Sequence, residues 1–180
     1  MIDDICPVQF IEGINQYAEY DTKNFLDTQS YLSIAIEYRP KFTYCLAEIE
    51  ILAGYIAVIG VGEFEVALHP DYEGKPGNII LSRGTLAIDI SEEVARMQSG
   101  RIYDWQRVEF NPVVVIRDNK YWIDISPEGK KLILCTAVAG EPTNMMIRDE
   151  GQWRTDQIFV FGSWQCMLRF YGKILPVSSC

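Results

Sequence analysis

From Phe42 onward the apolar residues stop recurring every three or four positions and begin to alternate with polar ones. On an extended chain successive side chains point to opposite faces, so this change of period predicts a sheet with one buried side. Segments 42–52, 54–61 and 63–69 are short, rich in β-branched and aromatic residues, and punctuated by Gly54, Gly60 and Gly62. They read as three antiparallel strands. In the third, Phe64, Val66 and Leu68 share one face while Glu63, Glu65, Ala67 and His69 share the other. One face is core and the other offers carboxylates.

Before this point the spacing is helical. Phe10, Ile11, Ile14, Tyr17 and Ala18 follow Pro7 at intervals that place them on one helix face. Asp27 or Thr28 caps a second helix with Tyr31, Leu32, Ala35 and Ile36 inward, and Pro40 ends it. Residues 78–99 admit two readings. Ile79, Ile80, Leu86, Ala87, Ile90, Val94 and Met97 form one helical stripe, interrupted by Gly84. Alternatively, Leu86, Ile88 and Ile90 alternate in a strand over 85–90, followed by a short helix from Ser91 to Gly100. The single long helix is the preferred reading.

The remainder reads as a strand meander over 105–110, 113–116, 121–125, 132–138, 145–148, 158–161 and 164–171. Asp118-Asn119, Pro127-Glu128-Gly129, Gly140-Glu141-Pro142 and Glu150-Gly151 supply turns between them. Helices followed by strands predict one α+β domain over residues 1–180, with N-terminal helices and a strand-rich C-terminal half.

Charge and composition narrow the function. Sixteen Lys and Arg against twenty-five Asp and Glu give a net charge of -9, which disfavours nucleic acid as a partner. His69 is the only histidine, so multi-histidine metal sites are excluded and no metal is expected. The five cysteines are odd in number and scattered, as in a reduced cytoplasmic protein. The first residues carry two acids and no basic n-region, and the longest apolar stretch is too short to span a bilayer, so neither secretion nor a membrane is expected.

The segment over 63–78 carries the most chemical content: a strand, then Pro70-Asp71-Tyr72-Glu73-Gly74-Lys75-Pro76-Gly77-Asn78. A glycine-containing turn leading into a helix exposes successive amides to an anion, and Lys75 adds a positive charge. Over about residues 44–122 the chain resembles the GCN5-related N-acetyltransferase family. The resemblance is carried by Cys45-Leu46-Ala47-Glu48, by Gly54-Tyr55-Ile56-Ala57 and by the strand and turn from Val66 to Lys75. Arg107-Val108-Glu109-Phe110-Asn111, followed by Val114 to Trp122, is a looser echo. Glu73 and Pro76 depart from the family pattern, which usually has Arg and Gly there.

The resemblance implies an acetyltransferase-like fold and transfer of an acetyl group from acetyl-CoA to the amine of a small molecule or protein. Val66, Leu68, Gly74, Lys75, Gly77 and Asn78 would hold the cofactor, with its pyrophosphate on the turn amides. Glu65 or Glu63 would accept the amine proton, and Tyr121 would protonate the leaving thiolate. Two non-enzymatic readings stand beside this one. Phe159, Phe161, Trp164, Phe170 and Tyr171 form an aromatic face for a protein partner or a second copy. The acidic surface also suits an inhibitor of a basic partner.

Overall fold

A strand covered on only one side alternates cleanly, whereas a strand covered on both sides reads as a continuous apolar run. Both kinds occur here. The computed structural model describes residues 8–14, 20–27, 33–56, 60–90, 101–128, 134–138, 144–149, 151–155 and 167–176. Among them there is no helix. The strands are β1 (Gln9–Ile14), β2 (Tyr20–Asp27), β3 (Ser33–Tyr38), β4 (Tyr44–Ile56), β5 (Gly60–Tyr72), β6 (Lys75–Pro76) and β7 (Ser82–Ile90). They continue as β8 (Arg101–Val115), β9 (Tyr121–Glu128), β10 (Leu134–Val138), β11 (Met145–Asp149), β12 (Gln152–Arg154) and β13 (Leu168–Ile174).

The expected α+β class is therefore corrected to all-β. The stretch expected as the first helix contains β1, and the second overlaps β3. In β3, Ile34 and Ile36 enter the core while Ala35 is equally inaccessible on the opposite face. Burial on both sides makes consecutive residues apolar and imitates a helical stripe. The long helix over 78–99 is also overturned, because Ser82–Ile90 forms β7 along β5, with Phe64 opposite Leu86 and Val66 opposite Gly84. Ile79 and Ile80, counted toward the buried stripe, are exposed. The rival short strand anticipated this element in part, and its helix over 91–100 falls outside the described residues, as does the strand expected over 158–161.

The ladders are antiparallel throughout. One sheet runs β1-β13-β4, with β10 and then β2 beside the far end of β4, and β8 on the other side of β4. The second runs β12-β11-β3-β9-β5, with β7 and the short β6 both paired to β5. Leu46, Ile49, Val108 and Phe170 from the first sheet meet Ile36, Phe64, Val66 and Ile123 from the second in one core. β7 also lies alongside β8, so the sheets join there into a nearly closed barrel. Among the described residues no helix is long and apolar enough to cross a membrane.

Two glycines permit close backbone approaches. A Cβ on Gly84 would lie 2.1 Å from the Glu109 carbonyl oxygen, at the seam of β7 and β8. A Cβ on Gly172 would lie 1.9 Å from the Cys45 carbonyl oxygen, beside a bulge between β13 and β4. The bulge of β4 against β8 near Ala47 also resets its side-chain parity. Tyr44 and Leu46 point inward before it, and Ile49 and Ile51 after it.

A polar chain crosses between the sheets. The Tyr38 hydroxyl donates to Glu12 Oε1 at 2.7 Å and lies 2.6 Å from the Tyr44 hydroxyl. The Lys41 amide donates to both Glu12 oxygens, and the Tyr38 ring stacks on Phe170 at 4.0 Å. Burial, reinforced by the neighbouring Tyr44 and Glu12, pushes the Tyr38 phenol well above its ordinary pKa.

Replacing Gly84 with Ala is expected to cost about 1–3 kcal/mol through overpacking at the seam. Thr85→Ala, at an exposed position on the same strand, should stay within about 0.5 kcal/mol of wild type. Urea unfolding of the two variants provides the check. Tyr38→Phe, which removes a donor from a buried carboxylate, is expected to cost about 1–3 kcal/mol in the same measurement.

Candidate functional site

The turn singled out in the sequence is a two-residue hairpin. Asp71 pairs with Pro76 and Tyr72 with Lys75, leaving Glu73 and Gly74 at the tip. Both tip residues have positive φ, 53° and 83°, as a twisted two-residue loop requires. Asp71 holds the hairpin closed and fastens it to the sheet. Its Oδ2 accepts the Gly74 amide at 3.1 Å, and its Oδ1 accepts the Trp122 indole N–H at 2.8 Å. Lys120 Nζ stands 3.4 Å from the same Oδ1 and 3.3 Å from Glu37. Burial alone would raise the Asp71 pKa, but Trp122, Gly74 and Lys120 together hold it below its ordinary 3.8.

Beyond the hairpin the chain returns along the end of β5. The Gly77 amide donates to the Pro70 carbonyl and the Leu81 amide to the Leu68 carbonyl. The Gly77 carbonyl lies 2.8 Å from His69 Nδ1. A carbonyl only accepts, so the His69 proton sits on Nδ1. His69 Nε2 is turned toward Asp124 Oδ2 at 3.6 Å, beyond hydrogen-bond length, and has no hydrogen-bond partner among the described residues. His69, on the strand face that offers carboxylates further back, is only 7% exposed.

Asp124 lies opposite Ala35 on β3 and opposite Ala67 on β5, where small side chains leave room for a network. It accepts the Ser126 hydroxyl at 3.0 Å, and Arg148 Nη2 stands 3.8 Å away. Arg148 donates to Ser33 and Ser126, and its guanidinium lies 5.1 Å from the centre of the Trp153 ring.

A cleft of about 650 Å³ opens between residues 70–79 and the turn and strand over 151–153. Its apolar surface comes from Pro70, Tyr72, Pro76, Ile79 and Trp153, and its polar groups from Asp71, Lys75, Asn78 and Gln152. Both walls rest on the same buried polar chain. Gly77 is tied to His69, Trp153 to Arg148, and Asp124 stands between His69 and Arg148.

The residues expected from sequence separate into distinct places. Lys75, Gly77 and Asn78 line the cleft, while Gly74 sits at the hairpin tip. Val66 and Leu68 are core residues with no exposure. Glu63 and Glu65 lie on the outer face of β5, Glu65 paired with Arg83 at 3.2 Å. Tyr121 is buried in the core, its hydroxyl accepting the Ile116 amide at 3.0 Å. Glu63, Glu65 and Tyr121 are thus not brought together. The helix expected to begin at Asn78 and support a pyrophosphate is replaced by β7, and the Gly74, Gly77 and Leu81 amides are already engaged internally.

Of the proposed aromatic face, Phe170 is core, Tyr171 is partly exposed beside Phe10, and Phe159, Phe161 and Trp164 fall outside the described residues. Sequence reasoning missed Trp122, Asp124, Arg148 and Trp153. A signal was present in β9, where Trp122, Asp124 and Ser126 alternate with the core residues Tyr121, Ile123 and Ile125.

Because the folded pKa of Asp71 is depressed, its ionised form stabilises the hairpin above the ordinary value. That contribution disappears as pH falls from about 3.8 through the lower folded value. Asp71→Asn is expected to remove up to about 1 kcal/mol at neutral pH and to flatten this acid limb. The pH dependence of Gly74 amide exchange and of the Trp122 indole resonance reports both effects.

The chain matches no family model, no curated protein and no solved structure in these comparisons.

Proposed function

We propose that the protein is a non-enzymatic binding module whose cleft takes an extended segment of a partner polypeptide. One observation carries this reading: the cleft walls are aromatic and proline surfaces, while the one carboxylate lining it among the described residues is occupied in holding the hairpin. Tryptophan and tyrosine supply large rigid contact areas at low entropic cost and are enriched where proteins recognise one another. His69 turns one ring nitrogen to a backbone carbonyl and the other to Asp124, so neither is presented to a substrate.

Acetyl transfer from acetyl-CoA, the activity the family resemblance implies, receives less support from the same geometry. Glu65 lies five residues before Pro70 on β5, roughly 17 Å along an extended strand from where the cleft begins. A general base must lie within hydrogen-bond reach of the proton it takes.

A random-peptide display library panned on the protein and counter-screened on Trp153→Ala tests the binding reading. Clones whose affinity falls about tenfold or more in the variant are expected. Clones that bind both proteins equally would place recognition away from the cleft. Calorimetry with acetyl-CoA is expected to give no heat, and saturable binding lost on Lys75→Ala would favour the transferase reading instead.

A further inference from the structure

The turns at one end of the barrel are tied together across both sheets. Pro70 on β5 lies opposite Tyr121 on β9, and Tyr121 opposite Tyr38 on β3. Tyr44, which opens β4, lies opposite Val115 and Ile174 at the ends of β8 and β13, and Gln9 at the start of β1 lies opposite Gly172. The Asp118 amide donates to the Pro40 carbonyl and the Leu175 amide to the Thr43 carbonyl, joining the loops beyond.

Apolar exposure gathers at this end. Among the described residues ten large hydrophobic side chains are exposed, and all of them lie in these turns or within a few residues of them. Phe42, Tyr72, Ile116 and Ile174 come from four separate strand ends, and the run over 79–81 leads into β7. Mid-strand, by contrast, the outward residues Glu63, Thr85, Arg107 and Glu109 are polar. Lys41, Lys75 and Lys173 are exposed at the same end and form no ion pair among the described residues. The acids there are engaged: Glu37 by Arg39 and Lys120, Asp71 by Lys120, and Asp118 by Arg117. Among the described residues Glu73 is the one exposed carboxylate at this end without a cation beside it. The local surplus is therefore positive in a chain of net charge -9. Charges farther away than about 8 Å are largely screened at physiological ionic strength, so the local sign decides what approaches.

A protein partner is met by a contiguous apolar patch from which lysine is depleted. Here the apolar side chains stand on separate turns with lysines among them, and Lys41 and Lys173 directly precede Phe42 and Ile174. Apolar tips that enter hydrocarbon, beside lysine stems that lie along it and carry their ammonium groups out to phosphate, match the boundary between water and a bilayer. We propose that this end of the barrel rests on the surface of a membrane rich in anionic lipid. Phe42, Ile80, Ile116 and Ile174 enter the headgroup boundary, and Lys41, Lys75 and Lys173 meet the acidic headgroups. The contact lies on the membrane without crossing it, and it goes beyond the binding role of the cleft. Phe42, Ile116, Lys41 and Lys173 do not line that cleft, so the two readings stand or fall separately.

Co-sedimentation of the full chain with phosphatidylcholine vesicles, alone or mixed with phosphatidylserine, tests the proposal. Binding is expected to the mixed vesicles only and should fall as salt is raised. Lys41→Gln combined with Lys173→Gln should weaken it about tenfold or more, since each lysine near an anionic surface contributes roughly fivefold. Phe42→Ser combined with Ile116→Ser should weaken it by about tenfold through lost apolar insertion. Arg107→Gln, which removes a positive charge from mid-strand, should leave binding unchanged. All five positions are exposed, and circular dichroism checks that each variant is folded. Wild type that stays in the supernatant at low salt would overturn the proposal. So would binding that both double variants leave intact, or that Arg107→Gln weakens as much as they do. A wild-type dimer in analytical ultracentrifugation that Phe42→Ser with Ile116→Ser dissociates, with no vesicle binding, would assign this end to a second copy instead.

Discussion

Asp124 is a carboxylate under cover, 3% exposed in the middle of a sheet whose other face is the hydrophobic core. Such a group is tolerated only when surrounding dipoles and charges replace the water it has lost. Ser126 and Arg148 do so from one side, and His69 faces it from the other. Because Arg148 also lies against Trp153, and His69 against Gly77, holding one buried acid positions two surface segments far apart in sequence. The cleft is thus a by-product of satisfying the outer face of the second sheet.

The same two-sided burial explains what could be read in advance. Where a strand has one wet face, as in the Glu63 to Val66 part of β5, the alternation is legible, and Phe64, Val66 and Leu68 are core as it implies. Where both faces are covered, as in β3, the pattern lost its period of two and looked helical. β7 was misread for another reason. Gly84, taken as a weak point in a helix, is the position that lets β7 approach the Glu109 carbonyl on β8, and only the tertiary neighbour gives that glycine its meaning.

The candidate site was half legible. The Asp71 to Pro76 turn announced itself through its glycine and prolines, and Lys75, Gly77 and Asn78 do line the cleft. The opposite wall comes from a three-residue strand after Glu150-Gly151, which was seen only as punctuation. No local signal joins Trp153 to Tyr72. Both line one cleft although β11, β3 and β9 stand between their strands, and that strand order is a property of long-range pairing.

β1, at the margin of the first sheet, carries a bulge at Ile11 and turns Glu12 inward. β12, at the margin of the second, has only three residues. Irregular or abbreviated borders deny an incoming chain the evenly spaced amides on which strand addition depends. A further strand arriving at either border meets no even row of amides to copy, so these two margins resist the edge-to-edge stacking that a long, flat border strand invites.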